Sequence, residues 1–358
     1  MALATDDRAG LKSPQSKKTQ LLLKAAIVRH KKLEFEAAKL IYEEVQKSDP
    51  CNIMCWQLSG LLCCQMKDYE KSIELLSRAI ALEPVHEDSY YHRAISYQEL
   101  GYLEQSFDDY SSALSINREN FHALNNRGNV LKDLGRLDEA LSDLDLALVV
   151  KPNYASAYNN RGIVLKKLGH IDKALMDYSR ALSLEPHYAE AFYNRAKAFQ
   201  DTGQPENALA DYNKAISLKT NYSAALNNRG LVLKELLRFD EAIGDLNESL
   251  NINPDDHEAY NNLGLVLREL RHFDDALKAL NKALSLEPNY SKGLNNRGNI
   301  LQDLMRFDEA MINYEQAISL TPESAEAFNN RFLALKELGR FDEAMADLNK
   351  AIALDPTY

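Results

Sequence analysis

The sequence predicts an all-α solenoid of about ten helix-turn-helix units. One pattern of alanine, glycine and proline recurs every 34 residues along nearly the whole chain. The composition agrees, because 14 glycines and 10 prolines in 358 residues leave little room for the tight turns of an all-β fold. A hydrophobic content of 45% and a charged content of 27% are typical of a folded protein with a core.

The repeat is clearest in its alanine and proline columns. The alanines are Ala140, Ala174, Ala208, Ala242, Ala276, Ala310 and Ala344, and the prolines include Pro50, Pro84, Pro152, Pro186, Pro254, Pro288, Pro322 and Pro356. This register places ten repeats at residues 19, 53, 87, 121, 155, 189, 223, 257, 291 and 325. The repeats therefore fill residues 19–358, and we expect residues 1–18 to form a flexible polar tail.

Each repeat has the pattern of two helices joined by a turn. In residues 155–188, small and apolar residues around Gly162 recur at helical spacing, and Gly169 can end that helix in a left-handed conformation. A second apolar stripe begins at Ile171 and is stopped by Pro186. A single pair of helices is too small to bury its apolar faces, so neighbouring repeats must stack.

The order of an aromatic residue, a small residue, an alanine and a proline within 34 residues resembles the tetratricopeptide repeat. The resemblance covers residues 19–358, and it implies a right-handed superhelix of helix pairs with a concave, ligand-facing groove. Several residues depart from the pattern, among them Arg29 at an otherwise apolar position and Arg118 and Thr220 in place of the terminal proline. Pro205 replaces the apolar residue at the start of a second helix, and Phe332 takes the small-residue position of the last repeat, which puts its close helix crossing in doubt.

The sixth position of seven consecutive repeats is asparagine. These residues, which we call the asparagine row, are Asn126, Asn160, Asn194, Asn228, Asn262, Asn296 and Asn330. Asparagine inside a helix is up to ~0.7 kcal/mol less favourable than alanine, so packing alone does not explain seven copies. The neighbouring positions on the same helical face are mostly polar, which predicts an exposed stripe.

The row resembles the asparagine ladder in the superhelix of O-linked N-acetylglucosamine transferase, which implies amides that hold an extended peptide. A carboxamide suits this task because it offers both a donor and an acceptor to a peptide backbone. A second asparagine precedes most members of the row and can extend the polar floor. The alternative is that tandem duplication copied the asparagines, which then bond only water or neighbouring turns.

A basic row lies six residues further along the same helices. It consists of Lys132, Lys166, Lys234, Arg268 and Lys336. These cations could favour acidic or phosphorylated ligands. Acidic residues follow directly at most of these positions, so the predicted bias is weak.

Arginine at the seventh position coincides with aspartate sixteen residues later in six repeats. The pairs are Arg93/Asp109, Arg127/Asp143, Arg161/Asp177, Arg195/Asp211, Arg229/Asp245 and Arg331/Asp347, and the ninth repeat has Arg297/Asn313. Where the arginine is missing, the aspartate is missing too, as in Leu263/Ala279. This covariation predicts a partly buried bridge between the two helices of one repeat, and not an anion-binding site.

Two further groups of residues have structural explanations. The eighteenth position is acidic in all ten repeats, at the start of the second helix, where a carboxylate meets the positive end of the helix dipole. The alternative, that these carboxylates form a cation-binding row, is more specific but less well supported. The four cysteines, Cys51, Cys55, Cys63 and Cys64, contain no C-x-x-C pair, so we predict thiols and no metal.

These patterns predict a non-catalytic scaffold or adaptor that binds a protein or peptide segment and needs no cofactor. The net charge of −11 argues against a nucleic-acid partner. The sequence has no apolar run long enough to predict membrane insertion or a signal peptide, so we expect a cytoplasmic protein. The alternative is a structural subunit that stacks through its C-terminal end with an idle groove. The last helix pair, including Leu348, Ile352 and Leu354, would otherwise lack cover, unless the chain is a shortened form of a longer protein.

Overall fold

The computed structural model describes residues 14–357, with side chains from residue 17 onward. Within this range the chain forms twenty α-helices and no strand, and it divides into two compact units at Leu184 and Glu185. Consecutive helices pack as antiparallel pairs, one pair for each repeat, so the predicted all-α architecture of helix-turn-helix units is confirmed.

The first unit contains ten helices. They are α1 (Pro14–Lys31), α2 (Phe35–Ser48), α3 (Ile53–Gln65), α4 (Tyr69–Leu82), α5 (Glu87–Glu99), α6 (Leu103–Ile116), α7 (Phe121–Asp133), α8 (Leu137–Val150), α9 (Ala155–Lys167) and α10 (Ile171–Leu184). Helix α1 begins five residues before the expected repeat start at Thr19, so residues 14–18 are helical. Pro14 suits a first helical position because it has no N–H group to leave unpaired. The rest of the expected tail, residues 1–13, lies outside the described residues.

The second unit also contains ten helices. They are α11 (Ala189–Asp201), α12 (Pro205–Leu218), α13 (Ser223–Glu235), α14 (Phe239–Ile252), α15 (His257–Glu269), α16 (Phe273–Leu286), α17 (Ser291–Asp303), α18 (Phe307–Leu320), α19 (Ala325–Glu337) and α20 (Phe341–Leu354). Pro205 is the first residue of α12, where its fixed φ is compatible with the helix. Its departure from the repeat pattern therefore does not break the helix pair.

The fifteenth residue of every repeat turns the chain from the first helix into the second. Its φ is positive in all ten repeats, and Gly169, at +81°, has the predicted left-handed conformation. Five repeats place other residues there: Leu33, Lys67, Leu237, Arg271 and Met305. The N–H of Arg136 donates to the carbonyl of Leu131, and that of Gly135 to Lys132, which satisfies carbonyls at the end of α7. The turn geometry is thus common to all repeats although glycine is not.

Small residues at the eighth position let the two helices of a repeat approach closely. A Cβ added to Gly162 would lie 2.6 Å from the ring of Tyr178, and one added to Gly128 would lie 2.9 Å from Leu144. In the last repeat the larger Phe332 is partly buried against the neighbouring apolar cluster, and α19 still packs on α20. Phe332 therefore does not prevent the last pair of helices from packing together.

The predicted arginine bridges are all present. In the six Arg–Asp repeats, Nε and Nη2 donate to the two carboxylate oxygens of the aspartate at 2.6–2.9 Å. Arg297 donates to Asn313 Oδ1 at 2.7 Å in the repeat that lacks the acid. The aspartates are buried and the arginines are half-buried, so the seventh position is part of the packed interior.

Candidate functional site

The asparagine row lies on the first helix of its repeats, from α7 to α19. Asn160 is buried, and the other members are half-buried, so one side of most amides reaches the surface. This partial burial differs from the fully exposed stripe predicted from the polar neighbours. It arises because Asn126, Asn160, Asn228, Asn262, Asn296 and Asn330 also contact the preceding repeat of their own unit.

Within each unit, the described row amides donate hydrogen bonds backward along the stack. The Nδ2 of Asn160 donates to Asn125 Oδ1 at 2.9 Å, and the Nδ2 of Asn262 donates to Asn227 Oδ1 at 3.0 Å. The same bond joins Asn296 to Asn261 at 2.8 Å and Asn330 to Asn295 at 3.1 Å. Where the preceding repeat has tyrosine, Asn126 donates to Tyr91 Oη at 3.3 Å and Asn228 to Tyr193 Oη at 3.1 Å.

The acceptor asparagines belong to the fifth position and lie deeper than the row. Asn125, Asn227, Asn261 and Asn295 are only 3–7% exposed. Asn227, Asn261 and Asn295 nevertheless line the cavities described below. They lie one helical step further inside and pass hydrogen bonds on: Nδ2 of Asn261 donates to Asn262 Oδ1 at 3.3 Å. The interior asparagines therefore position the row.

The row amides keep hydrogen-bonding capacity beyond these contacts. A carboxamide has two N–H donors and two acceptor lone pairs. Asn262 donates one N–H to Asn227 and accepts one hydrogen bond from Asn261. Its carboxamide therefore still offers one N–H donor and one acceptor lone pair. The interpretation that the row bonds only water or neighbouring turns misses these bonds between repeats.

Two cavities in the second unit run along the row. One of about 420 Å³ is lined by Asn227, Asn228, Leu231, Glu258, Asn261, Asn262, Leu265, Tyr290, Lys292, Asn295, Asn296 and Glu326. The other, of about 340 Å³, is lined by Tyr193, Lys197, Gln200, Asp201, Ala224, Asn227, Asn228, Asp256 and Glu258. They share Asn227, Asn228 and Glu258, so they form one continuous surface, which we call the unit-two groove.

Leu231 and Leu265 are functional candidates that the sequence analysis missed. They occupy the ninth position, one turn after Asn228 and Asn262, and both are half-buried in the groove lining. The signal was present in the sequence, because leucine or isoleucine fills the ninth position in seven of the ten repeats. The groove is therefore amphipathic at these repeats, with amides beside an apolar surface.

The basic row does not form an open strip of positive charge. Arg268 donates from Nε to Asp303 Oδ2 of the next repeat at 2.5 Å, and Lys132 lies 3.2 Å from Asp133. Lys166 and Lys234 are half-buried on α9 and α13, and Lys336 is exposed on α19. None of these five residues is among those that line the unit-two groove.

Tyr193 and Tyr290 line the unit-two groove with an aromatic ring and a polar hydroxyl group. Burial raises the pKa of Tyr290 to about 12, with the Glu258 carboxylate as a further cause. The pKa of Tyr193 is also raised, mainly by burial, although the hydrogen bond from Asn228 opposes the shift and Glu258 adds to it. Both phenols are therefore neutral hydrogen-bonding groups at pH 7.

The described residues offer little for metal or thiol chemistry. Among residues 14–357 no cluster of three or more His, Cys, Asp or Glu side chains has metal-binding geometry. Burial raises the pKa of Cys55 to about 12 and that of Cys63 to about 11, so both are protonated thiols near pH 7. The same part of the chain contains no helix whose length and hydropathy would let it span a bilayer.

Comparison with known families identifies the repeat. Models described as tetratricopeptide repeat match residues 55–86, 87–120, 155–188, 189–222, 257–290 and 295–358, and one described as TPR repeat matches residues 128–169. The chain belongs to the tetratricopeptide-repeat family. Proteins of this family in general bind peptides or other proteins on their extended surfaces, and the repeat itself is typically non-catalytic.

Solved structures support the same fold. A tetratricopeptide repeat protein from Parabacteroides merdae aligns with a TM-score of 0.59 and 19% identity, covering 70% of this chain and 99% of the other. The Cut9–Hcn1 hetero-tetramer of the APC/C contributes a chain that aligns with a TM-score of 0.53 and 15% identity, covering 97% of this chain and 94% of the other. No curated protein matches the sequence.

Proposed function

We propose that this protein is a non-catalytic scaffold that holds an extended polypeptide against the asparagine row. The observation that supports this most directly is the placement of Asn228, Asn262 and Asn296 in the lining of one cavity of about 420 Å³. Each comes from a successive repeat, so hydrogen-bonding groups recur along the groove. A peptide backbone presents the complementary pattern, with one N–H and one C=O at nearly every residue.

The hydrogen bonds between repeats favour a binding role because they fix the amides in advance. A side chain that is already ordered loses less conformational freedom when a ligand binds. Asn262 is held from both Asn227 and Asn261, at 3.0 and 3.3 Å. Two further proposals go with this function: a cytoplasmic location, in keeping with the free thiols of Cys55 and Cys63, and no nucleic-acid partner, in keeping with the net charge of −11.

The test is a selection of binders from a random peptide library on the wild-type protein. The affinities of the selected peptides are then measured by fluorescence anisotropy for wild type and for Asn228/Asn262/Asn296→Ala. The control variant is Asn213/Asn247/Asn281→Ala, which removes three asparagines from second helices outside the groove lining. Circular dichroism and the urea midpoint establish that both variants fold.

The proposal expects at least about tenfold weaker binding for the row variant, because each lost peptide hydrogen bond is worth roughly 1 kcal/mol. The control variant should bind like wild type. Selected peptides that bind the row variant and wild type equally would contradict a role for the row. A library that yields no binder would contradict peptide binding in this groove.

A second candidate function is assembly through helix α20. Phe341, Met345 and Ile352 are 64%, 53% and 41% exposed and lie on one side of the helix. Leu348 and Leu354, which the sequence analysis placed on the same uncovered surface, are half-buried. A mass that rises with concentration in light scattering, and that returns to the monomer value in Phe341→Ser/Met345→Ser, would support this function.

A further inference from the structure

We propose that the unit-two groove selects extended segments that carry lysine or arginine next to an apolar residue. This inference rests on the proposed peptide-binding function, and it names the class of ligand for that groove. It departs from the weak preference for acidic ligands suggested by the basic row. The reasons are the charges, the apolar surface and the amides that line the groove together.

The groove lining carries more negative than positive side chains. Its carboxylates are Asp201, Asp256, Glu258 and Glu326, whereas its ammonium groups are Lys197 and Lys292. A cleft with an excess of one charge concentrates ligands of the opposite charge. A segment with two or more basic side chains therefore complements this lining better than an acidic or phosphorylated one.

Glu258 is the carboxylate best placed to meet a basic side chain. It is exposed, and it lines both cavities at the point where they join. Its negative charge contributes to the raised pKa values of Tyr193 and Tyr290, which belong to different repeats. The field of Glu258 therefore reaches along the groove in both directions.

The neighbouring carboxylates are partly committed to the protein. Asp256 accepts the N–H of Ala259 at 3.0 Å and so caps α15, and Glu326 Oε1 accepts from Asn295 Nδ2 at 3.0 Å. A carboxylate with one such bond retains lone pairs for a ligand cation. These residues support the negative potential, and we assign the contact with the ligand cation to Glu258, which lines both cavities.

The apolar part of the ligand is assigned to Leu231 and Leu265. These half-buried side chains come from successive repeats and lie in the same cavity as Glu258. An aliphatic residue that covers them gains free energy by removing apolar surface from water. Arg268, the basic-row residue on the same helix as Glu258, does not oppose this arrangement, because it is paired with Asp303 outside the groove lining.

The test uses three synthetic nine-residue peptides that share leucines at fixed positions and differ only at three guest positions. The guest residue is lysine, glutamine or glutamate. Binding to the full chain is measured by fluorescence anisotropy at low and at physiological salt. The variants are Glu258→Gln and Glu258→Lys, with Glu248→Gln and Glu248→Lys as matched controls on exposed α14 surface outside the groove lining.

We expect the lysine peptide to bind at least about tenfold more tightly than the glutamate peptide at low salt. Glu258→Gln should weaken the lysine peptide about two- to fivefold, as expected for one exposed ion pair, and leave the glutamine peptide unchanged. Glu258→Lys should weaken the lysine peptide further and strengthen the glutamate peptide. Neither Glu248 variant should change this preference.

Two different failures can be told apart. If all three peptides bind equally well, and binding is lost in Asn228/Asn262/Asn296→Ala, the groove binds peptides but the inferred preference for basic segments is wrong. If none of the three binds, or if binding is the same in the row variant, both the preference and the proposed function are contradicted. A preference for lysine that is unchanged in Glu258→Lys would also overturn the assignment to this groove.

Discussion

Arg161 and Asp177 form a bidentate ion pair between the two helices of one repeat. Nε and Nη2 of the arginine each lie 2.7 Å from a carboxylate oxygen, and Nη1 donates to Asp145 of the preceding repeat at 2.7 Å. One planar guanidinium thus connects α8, α9 and α10, which a lysine could not do with the same geometry. The Asp177 side chain is only 9% exposed, so its charge depends on this partner.

Replacing Arg161 alone should destabilise the protein. Arg161→Leu leaves the Asp177 carboxylate buried without a cation, and we expect a loss of about 2 kcal/mol, below the 3–5 kcal/mol of fully buried pairs because the arginine is partly exposed. Arg161→Leu/Asp177→Ala should recover much of this loss. The eighth repeat already has the equivalent apolar pair, Leu263 and the buried Ala279. Urea unfolding monitored by circular dichroism checks this, and a double variant no more stable than the single one would refute the pairing.

The cost of losing an arginine partner should depend on pH. The pKa of Asp109 is raised, because burial disfavours its charged form more than Arg93 favours it. The folded state therefore holds the proton more tightly than the unfolded chain, and this contribution to stability increases as the pH falls through the raised pKa toward the ordinary value near 3.8. Removing the arginine raises the pKa of Asp109 further.

Arg93→Leu should consequently cost about 2 kcal/mol at pH 7 and clearly less near pH 4.5, where Asp109 takes up a proton. The measurement is the difference in unfolding free energy between variant and wild type at each pH, which cancels the titration of other groups. Arg93→Leu/Asp109→Asn is the control and should show no such trend. A cost for the single variant that stays constant with pH would count against this account.

The turn residues at positive φ offer a stabilising change. Leu237 has φ of +60° and is 74% exposed, so it adopts a left-handed conformation without packing its side chain. Leu237→Gly should stabilise the protein by up to about 1 kcal/mol, because glycine lacks the steric cost of that conformation.

Gly135→Ala is the reciprocal test. Gly135 has a φ of +77°, and a Cβ added to it would meet no atom within 4 Å. The expected loss of stability, about 1 kcal/mol, therefore comes from the backbone conformation alone. Thermal midpoints that move in the opposite directions would exclude this explanation.

The close helix crossing can be tested with two glycines that share a helical conformation. A Cβ on Gly162 would lie 2.6 Å from the buried Tyr178 ring, whereas one on Gly244 would meet no atom within 4 Å. Gly244→Ala should stabilise by about 0.5–1 kcal/mol through helix propensity. Gly162→Ala should instead destabilise by about 1–2 kcal/mol, since overpacking exceeds the same gain in propensity. Urea midpoints compare the two directly, and a stabilised Gly162→Ala would show that the crossing has room to spare.

Much of the candidate site could be predicted from the columns of the repeat, but not how deeply the asparagine before each row member is buried. Asn261 and Asn262 are adjacent and chemically identical, and both line the groove, yet Asn261 is 4% exposed whereas Asn262 is half-buried. One helical step of about 100° separates them, and the packing of the neighbouring repeat decides which of the two is covered. The same packing brings Leu231 and Leu265 into the groove, although a view of the ninth position as polar had left them out.

The sequence by itself determined the helix pairs, the left-handed turn at Gly169 and the partner of each bridging arginine. These features follow from local propensity and from contacts within a repeat, which recur every 34 residues and so appear as columns. Tertiary structure alone decided that the row amides bond backward to the preceding repeat, and that Glu258 joins two cavities. Those relationships depend on how side chains from different repeats meet in space, and sequence periodicity does not specify the directions in which they point.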